Sequence, residues 1–99
     1  NSKQTGVAKI IICDDHQLFR ETLASVLNTT PGYSVIKDVS SGEDLIQYLN
    51  YNAQPEIILL DICMPGGQNG YEIAKYLTKN YPKIIIIGFS GFCNQKAIL

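Results

Sequence analysis

The length, composition and charge of the chain restrict what it can be. The sequence has 99 residues, of which 45% are hydrophobic and 17% are charged, so we expect one globular domain rather than a disordered segment. The net charge of −1 gives no electrostatic reason to expect direct nucleic-acid binding by this segment. No apolar run is long enough to cross a membrane, so we expect no membrane association.

The first half of the chain predicts two strands that flank a helix. Residues 7–13 form a short β-branched run that is typical of a buried strand. Residues 35–39 are more polar, as in an edge strand. Between them, apolar residues recur at helical spacing, and Thr30-Pro31-Gly32 predicts the end of that helix. The apolar residues of this helix are Leu18, Phe19, Leu23, Val26 and Leu27.

The second half repeats the alternation. Ser40 and Glu43 have the spacing of a capping box, which predicts a second helix that Pro55 ends. Residues 57–60 and 84–87 are apolar at every position and predict two further strands, the first covered on both faces. From Gly91 onward we expect a loop that enters another helix. The predicted apolar positions of the second and third helices are Leu45, Ile46, Leu49, Tyr71, Ile73, Ala74 and Leu77.

Strands that alternate with helices through short connections build a parallel sheet with helices on both faces, an α/β fold. Ligands of such sheets bind at the carboxyl ends of the strands. The first predicted strand is followed by Asp14, Asp15 and His16, the third by Asp61 and the fourth by Ser90. We therefore expect three carboxylates and a hydroxyl to meet at one edge of the sheet.

Three carboxylates in one cleft repel one another unless a cation lies between them. Oxygen ligands favour Mg²⁺, whereas zinc prefers histidine and thiolate ligands. An aspartate can also be the nucleophile that accepts a phosphoryl group. Other interpretations remain open: Asp14 or Asp15 also suits a helix N-cap, Ser90 a cap of the next helix, and His16 an exposed residue of the first helical turn.

Three motifs carry a resemblance to a known family: IIICDDHQLFRETLASVL, IILLDICMPGGQNGYE and IIIIGFSG. In this order and spacing they resemble the receiver domain of two-component response regulators, most closely the receivers of LuxR-type transcription regulators. The resemblance implies that Asp61 is the phosphoacceptor and Ser90 the switch hydroxyl. It also implies Mg²⁺ held by Asp14, Asp15, Asp61 and the backbone carbonyl of Cys63.

The resemblance further implies a flavodoxin-like, doubly wound parallel sheet of strand order 2-1-3-4. The whole chain, residues 1–99, would then be the N-terminal four-fifths of a receiver, with the fifth strand and fifth helix missing. The family's lysine on that strand has no counterpart, because Lys96 is wrongly placed. The segment from Pro65 to Gly70 is one residue longer than the family pattern, which predicts a longer loop near Asp61. We expect the open strand edge or an apolar face to allow a homodimer.

The function that the resemblance implies is a phosphoacceptor switch rather than an enzyme. A sensor histidine kinase would phosphorylate Asp61, and the change would control an output outside this chain, expected to be DNA binding and transcription regulation. A degenerate receiver that only binds partners is an alternative. A phosphatase with an aspartyl nucleophile fits less well, because its nucleophile usually follows the first strand as Asp-x-Asp. An FMN module fits poorly, because Asp14 and Asp15 would repel the FMN phosphate.

The number and spacing of the cysteines indicate the cellular compartment in which the protein is expected. Cys13, Cys63 and Cys93 cannot all pair within one chain, and none lies in a CxxC motif. The N-terminal residues carry no apolar signal core. We therefore expect reduced thiols in a cytoplasmic protein.

Overall fold

Strands and helices alternate in the part of the chain that the structure, a computed structural model, describes: residues 6–63 and 70–90. In these residues the strands are β1 (Ala8–Cys13), β2 (Tyr33–Val39), β3 (Ile57–Asp61) and β4 (Ile85–Phe89). The helices are α1 (Gln17–Asn28), α2 (Gly42–Tyr51) and α3 (Gly70–Asn80). The predicted alternation is confirmed here. The helix expected after Gly91 lies outside the described residues.

The strands form one parallel sheet of order β2-β1-β3-β4. β1 pairs with both β2 and β3, and β3 pairs with β4. Parallel neighbours need a crossover, which α1, α2 and α3 supply between successive strands. The predicted flavodoxin-like α/β fold, with strand order 2-1-3-4, is therefore confirmed for the described strands.

The core lies where one face of the sheet packs against α2 and α3. From the sheet, Ile11 of β1 and both Ile58 and Leu60 of β3 have no exposed surface. From the helices, Leu45 and Leu77 are equally buried. Truncation of such a side chain to alanine costs about 2–5 kcal/mol, so this layer holds the central strands and their carboxyl ends in place.

α1 is covered less completely than its apolar pattern predicts. None of its residues is buried, and Leu18 is 76% exposed and Val26 56% exposed. Phe19, Leu23 and Leu27 are half-buried. The apolar stripe is thus wider than the face that is covered, because helical spacing does not show how far a neighbouring element extends. Tyr71 of α3 is similar: it was predicted to lie on the packed face but is 65% exposed.

The observed N-termini of α1 and α2 correct two predictions. α2 is capped by Ser41, whose hydroxyl accepts a hydrogen bond from the Asp44 N–H at 3.1 Å. The expected cap at Ser40 is wrong by one residue, because only the backbone path shows which of two adjacent serines faces the helix. The N-cap position of α1 is His16, without a side-chain cap bond, so neither predicted aspartate cap of α1 is present.

Two further predictions concern the sheet edge and the cysteines. Among the described residues β4 forms an edge of the sheet, with Ile85 59% and Ile87 47% exposed. Cys13 is a buried thiol, as expected. Cys63 takes part in a disulfide, so the expectation of reduced thiols is wrong at that residue. A disulfide depends on the distance between two backbone positions in the fold, which sequence spacing does not reveal.

In the described part of the chain, we find no helix with the length and apolar character that crossing a bilayer requires.

Candidate functional site

The carboxyl ends of β1, β3 and β4 lie side by side, because these strands are parallel neighbours. Asp14 directly follows β1, Asp61 is the last residue of β3, and Ser90 directly follows β4. Asp61 pairs with Phe89 in the β3–β4 ladder. The N–H of Ile62 donates to the Phe89 carbonyl at 2.8 Å, which ties the end of β4 to the chain immediately after Asp61.

Three carboxylates and one imidazole meet at this edge. One ligand atom from each of Asp14, Asp15, His16 and Asp61 lies within 4.8 Å of the others. The side chains of Asp14 and Asp61 have no exposed surface, whereas those of Asp15 and His16 are 28% and 43% exposed. The structure therefore brings three of the predicted site residues together in a cluster that is buried at its base and open at one side.

Each carboxylate of this acidic cluster has one buried oxygen without a hydrogen-bond donor among the described residues: Asp14 Oδ2, Asp15 Oδ1 and Asp61 Oδ2. The other oxygen of Asp61 accepts a hydrogen bond from the Cys63 N–H at 2.9 Å. Asp14 Oδ1 accepts a longer hydrogen bond, of 3.4 Å, from the His16 N–H. His16 Nδ1 lies 3.0 Å from Asp15 Oδ1, without hydrogen-bond geometry. Buried oxygens without donors are costly, and all three belong to residues of the same cluster.

Burial, together with the carboxylates of the cluster, shifts two pKa values upward. Burial, and then the hydrogen bond that protonated Asp14 can donate to the Asp61 side chain, raise the pKa of Asp14 from 3.8 to about 6, while contacts with His16 lower it. Burial raises the pKa of the Cys13 thiol from 9.0 to about 12, and the charges of Asp14 and Asp61 add to that rise. The edge therefore disfavours further negative charge.

These residues fit a hard divalent cation. The atoms without donors are carboxylate oxygens, the ligands that Mg²⁺ prefers, and each residue that carries one offers a ligand atom close enough to the others to share one ion. A zinc site would need thiolate or neutral imidazole ligands. The raised pKa keeps Cys13 a neutral thiol at pH 7, so that residue does not supply a thiolate.

The end of β4 also contacts α1. The rings of Phe19 and Phe89 lie 5.6 Å apart at an angle of 44°. Since Phe89 pairs with Asp61 and precedes Ser90, this contact connects α1 to the end of β4 beside the acidic cluster. The predicted switch residue therefore follows a strand end that is fixed on two sides.

Two residues of this edge make contacts that the sequence does not predict. His16 is exposed, as expected, and its Nδ1 also lies within 3.4 Å of the carboxylates of Asp14 and Asp15. Arg20 belongs to the first receiver-like motif, and its guanidinium donates to the carbonyl oxygen of Asp14. A signal was present, since Arg20 is the single arginine of the chain.

Other predictions near the site concern residues outside the described part of the chain. Met64 and Pro65 are among them, so the loop expected to be one residue longer remains a prediction. Lys96 and the expected fourth helix also lie outside. At Gly70 the described chain resumes, and its N–H donates to the Ile62 carbonyl at 3.3 Å.

Comparison with known families gives the wider context for this edge. Residues 10–99 match the family described as response regulator receiver domain. The chain belongs to this family. This receiver domain is 39% identical over 83 residues to the transcriptional regulatory protein DegU of Brevibacillus brevis. That match covers 83% of this chain but 34% of DegU, so the chain spans about a third of that relative's length.

Solved structures show the same receiver fold. A LuxR-family two-component response regulator from Aurantimonas sp. SI85-9A1 is 25% identical, with a TM-score of 0.74 over 85% of this chain and 59% of its own. The isolated REC domain of RcsB from Salmonella enterica serovar Typhimurium was solved with the phosphomimetic BeF3⁻. It is 23% identical, with a TM-score of 0.77 over 85% of this chain and 62% of its own, a likeness of fold alone.

Proposed function

We propose that this receiver domain is a phosphoacceptor switch in which Asp61 receives the phosphoryl group. The observation that carries the proposal is the state of the Asp61 carboxylate. One of its oxygens is held by the Cys63 N–H, and the other is buried, without a donor among the described residues, beside Asp14 and Asp15. A carboxylate fixed at one oxygen and unsatisfied at the other is suited to form a new bond at the second oxygen.

In the proposed transfer, Asp61 Oδ2 forms an O–P bond with the phosphoryl group of a phosphohistidine on a sensor kinase. The P–N bond breaks, its electron pair returns to the imidazole nitrogen, and that nitrogen takes up a proton. The Cys63 N–H stays on Oδ1 and keeps the carboxylate in one orientation. Because Asp61 has no exposed surface, transfer requires the edge to open toward the donor.

We propose that Asp14, Asp15 and Asp61, together with the backbone carbonyl of Cys63, hold Mg²⁺. The ion would neutralise charge on the transferring phosphoryl oxygens. The chain's own part is to keep unpaired carboxylate oxygens at this edge, since any donor placed there would compete with the ion.

We propose that Ser90 reads the phosphorylated state by donating its hydroxyl hydrogen to a phosphoryl oxygen. Its place directly after Phe89, the ladder partner of Asp61, supports this role. Movement at Ser90 would reach α1 through the contact between Phe19 and Phe89. The signal would thus leave the site along an element that carries exposed apolar residues.

The wider role follows from the family and its relatives. We propose a sensor histidine kinase as the phosphodonor and a transcription output, by DNA binding, outside this chain. Turnover would be limited to phosphorylation and dephosphorylation of the domain itself, in the cytoplasm and without membrane association. The surface we propose for a homodimer is β4, an edge strand among the described residues, together with its exposed side chains Ile85 and Ile87.

Beryllofluoride with Mg²⁺ tests the proposal directly, because it mimics a phosphoryl group on a carboxylate. We expect amide NMR signals around Asp61 and Ser90 to shift when both reagents are present, and neither reagent alone to produce the full change. Asp61→Asn should abolish the shift. Asp44→Asn is the matched control, since it removes an exposed carboxylate outside the cluster and should leave the shift intact.

A second measurement uses a small-molecule phosphodonor and intact-protein mass spectrometry. We expect one added phosphoryl group in the wild type and Asp44→Asn, and none in Asp61→Asn. A wild-type chain that neither accepts a phosphoryl group nor responds to beryllofluoride would contradict the phosphoacceptor role and favour a receiver that only binds partners.

A further inference from the structure

Arg20 connects the acidic cluster to the edge strand β2. Its Nη1 donates to the main-chain carbonyl oxygen of Asp14 at 2.8 Å, and its Nε donates to Asp38 Oδ1 at 2.9 Å. The Arg20 side chain is 14% exposed and that of Asp38 is 38% exposed, so the bonds are partly shielded from solvent. A planar guanidinium with several fixed donors is the side chain best suited to hold two acceptors at once.

The main chain of Asp14 is thereby held on both sides of its Cα. Its N–H donates to the carbonyl of Val39 at 3.0 Å, and its carbonyl accepts from Arg20. Both supports come from β2, directly through Val39 and indirectly through Asp38. Fixing the two peptide groups around one Cα fixes its φ and ψ, and so the direction in which the side chain leaves the backbone.

The direction of this side chain matters because Asp14 and Asp61 repel each other when both are ionised. The Asp14 carboxylate is held only loosely by His16, whose N–H and Nδ1 each lie 3.4 Å from Oδ1, and Oδ2 has no donor among the described residues. Because both contacts with His16 are long, the backbone, where Arg20 acts, is the more tightly held part of Asp14.

We propose that Arg20 is a positioning residue that holds Asp14 in the geometry for binding Mg²⁺, with Asp38 holding Arg20 in turn. Arg20 contacts main chain and Asp38, not the reacting oxygens, so it acts through Asp14. The inference rests on the proposed function, because it takes the acidic cluster to be the Mg²⁺ site. Groups that orient metal ligands from behind typically change metal affinity about 10–100-fold when removed.

The main test is Mg²⁺ affinity, measured by titration of the chain with Mg²⁺ alone and followed by amide NMR shifts. We expect Arg20→Gln to weaken binding about 10–100-fold and Asp38→Asn to weaken it less. The double variant should be no weaker than Arg20→Gln, because Asp38 acts only through Arg20. Lys37→Gln is the matched control: it removes the same charge from the neighbouring residue of β2 and should bind Mg²⁺ as the wild type does.

A structural readout separates positioning from stability. In the metal-free chain, Arg20→Gln should shift the carbonyl ¹³C signal of Asp14 and the ¹⁵N signal of Asp15, which belong to the peptide group that Arg20 contacts. Lys37→Gln should leave both signals in place. Ile84→Val, a mild core truncation next to the amino end of β4 and therefore at the opposite end of the sheet, should lower thermal stability without changing Mg²⁺ affinity.

Arg20→Lys separates position from charge. Lysine keeps the positive charge, but its single ammonium group lacks the planar set of donors with which arginine binds the Asp14 carbonyl oxygen and Asp38 Oδ1 together. Arg20→Lys should therefore recover only a small part of the Mg²⁺ affinity that Arg20→Gln loses. Full recovery by lysine, or unchanged affinity in Arg20→Gln, would overturn the proposal. If Arg20→Gln does not fold, Asp38→Asn carries the test: weaker Mg²⁺ binding supports the proposal and unchanged binding overturns it. A wild-type chain that binds no Mg²⁺ would instead refute the proposed function.

Discussion

Gly70, the first residue of α3, packs directly against the backbone of Ile62, the residue after Asp61. A Cβ atom on Gly70 would overlap Ile62 Cα and lie 2.9 Å from the carbonyl oxygen of Asp61. The start of α3 is therefore in contact with the backbone that presents the proposed phosphoacceptor, and this contact has no room for a side chain.

Gly70→Ala should destabilise the chain, because backbone cannot move aside as a flexible side chain can. We expect a loss of about 1–3 kcal/mol in the free energy of unfolding, measured with urea. Gly88→Ala should cost less, since the nearest atom to its Cβ would belong to the Ile62 side chain, at 3.1 Å, and the nearest backbone atom, the Leu60 carbonyl oxygen, would be 3.9 Å away. Gly6→Ala is the control, with nothing within 4 Å. Equal stability of the Gly70 and Gly6 variants would contradict the contact.

The raised pKa of Asp14 predicts an unusual pH dependence. Between its ordinary 3.8 and about 6, the folded state binds a proton that the unfolded state has lost. This contribution to stability is therefore fully present below pH 4 and is lost as the pH rises to about 6. Relative to Asp14→Asn, the urea midpoint of the metal-free wild type should fall over this range. A difference in urea midpoint between the two proteins that stays constant with pH would contradict this prediction.

Mg²⁺ should reverse that loss at neutral pH. If the ion binds the folded acidic cluster, saturating Mg²⁺ should raise the urea midpoint of the wild type at pH 7. Asp14→Asn and Asp61→Asn should respond less, because each removes a proposed ligand. An equal response in all three proteins would show that the ion acts elsewhere.

Asp61→Asn should stabilise the metal-free chain at pH 7 even as it abolishes phosphorylation. The substitution removes a buried like charge beside Asp14 and supplies an amide donor for an oxygen that has none among the described residues. We expect a gain of about 1 kcal/mol in the free energy of unfolding. Asp44→Asn, with the same charge change at the first turn of α2, should instead lose about 0.3–1 kcal/mol.

Ser41→Ala should destabilise the chain by about 1 kcal/mol, because it removes the hydroxyl that accepts from the Asp44 N–H. Ser40→Ala changes the adjacent serine, which is exposed and is not the cap. Urea unfolding of both variants should show a loss in the first and almost none in the second. A larger loss of stability in Ser40→Ala than in Ser41→Ala would instead support the capping box at Ser40 that the sequence predicts.

Much of the fold and the site could be predicted from local patterns. Continuous apolar residues indicated the central strand β3, and the carboxylate that follows them indicated where the strand leaves the core. Parallel strands that alternate with helices place their carboxyl ends together, so Asp14 and Asp61 were expected to converge before any distance was known. These inferences succeed because hydrophobic periodicity and strand polarity are properties of the chain itself.

Other features depend on contacts between distant parts of the chain. The sequence alone does not show that α1 leaves Leu18 exposed, or that Ser41 rather than Ser40 faces its helix. It also does not show that Arg20 reaches Asp38, which is 18 residues away, or that Gly70 abuts Ile62. The residue types and order specify that an acidic edge forms. Packing between elements sets how each carboxylate is held there, because side-chain and backbone partners are selected by proximity in space rather than by position in sequence.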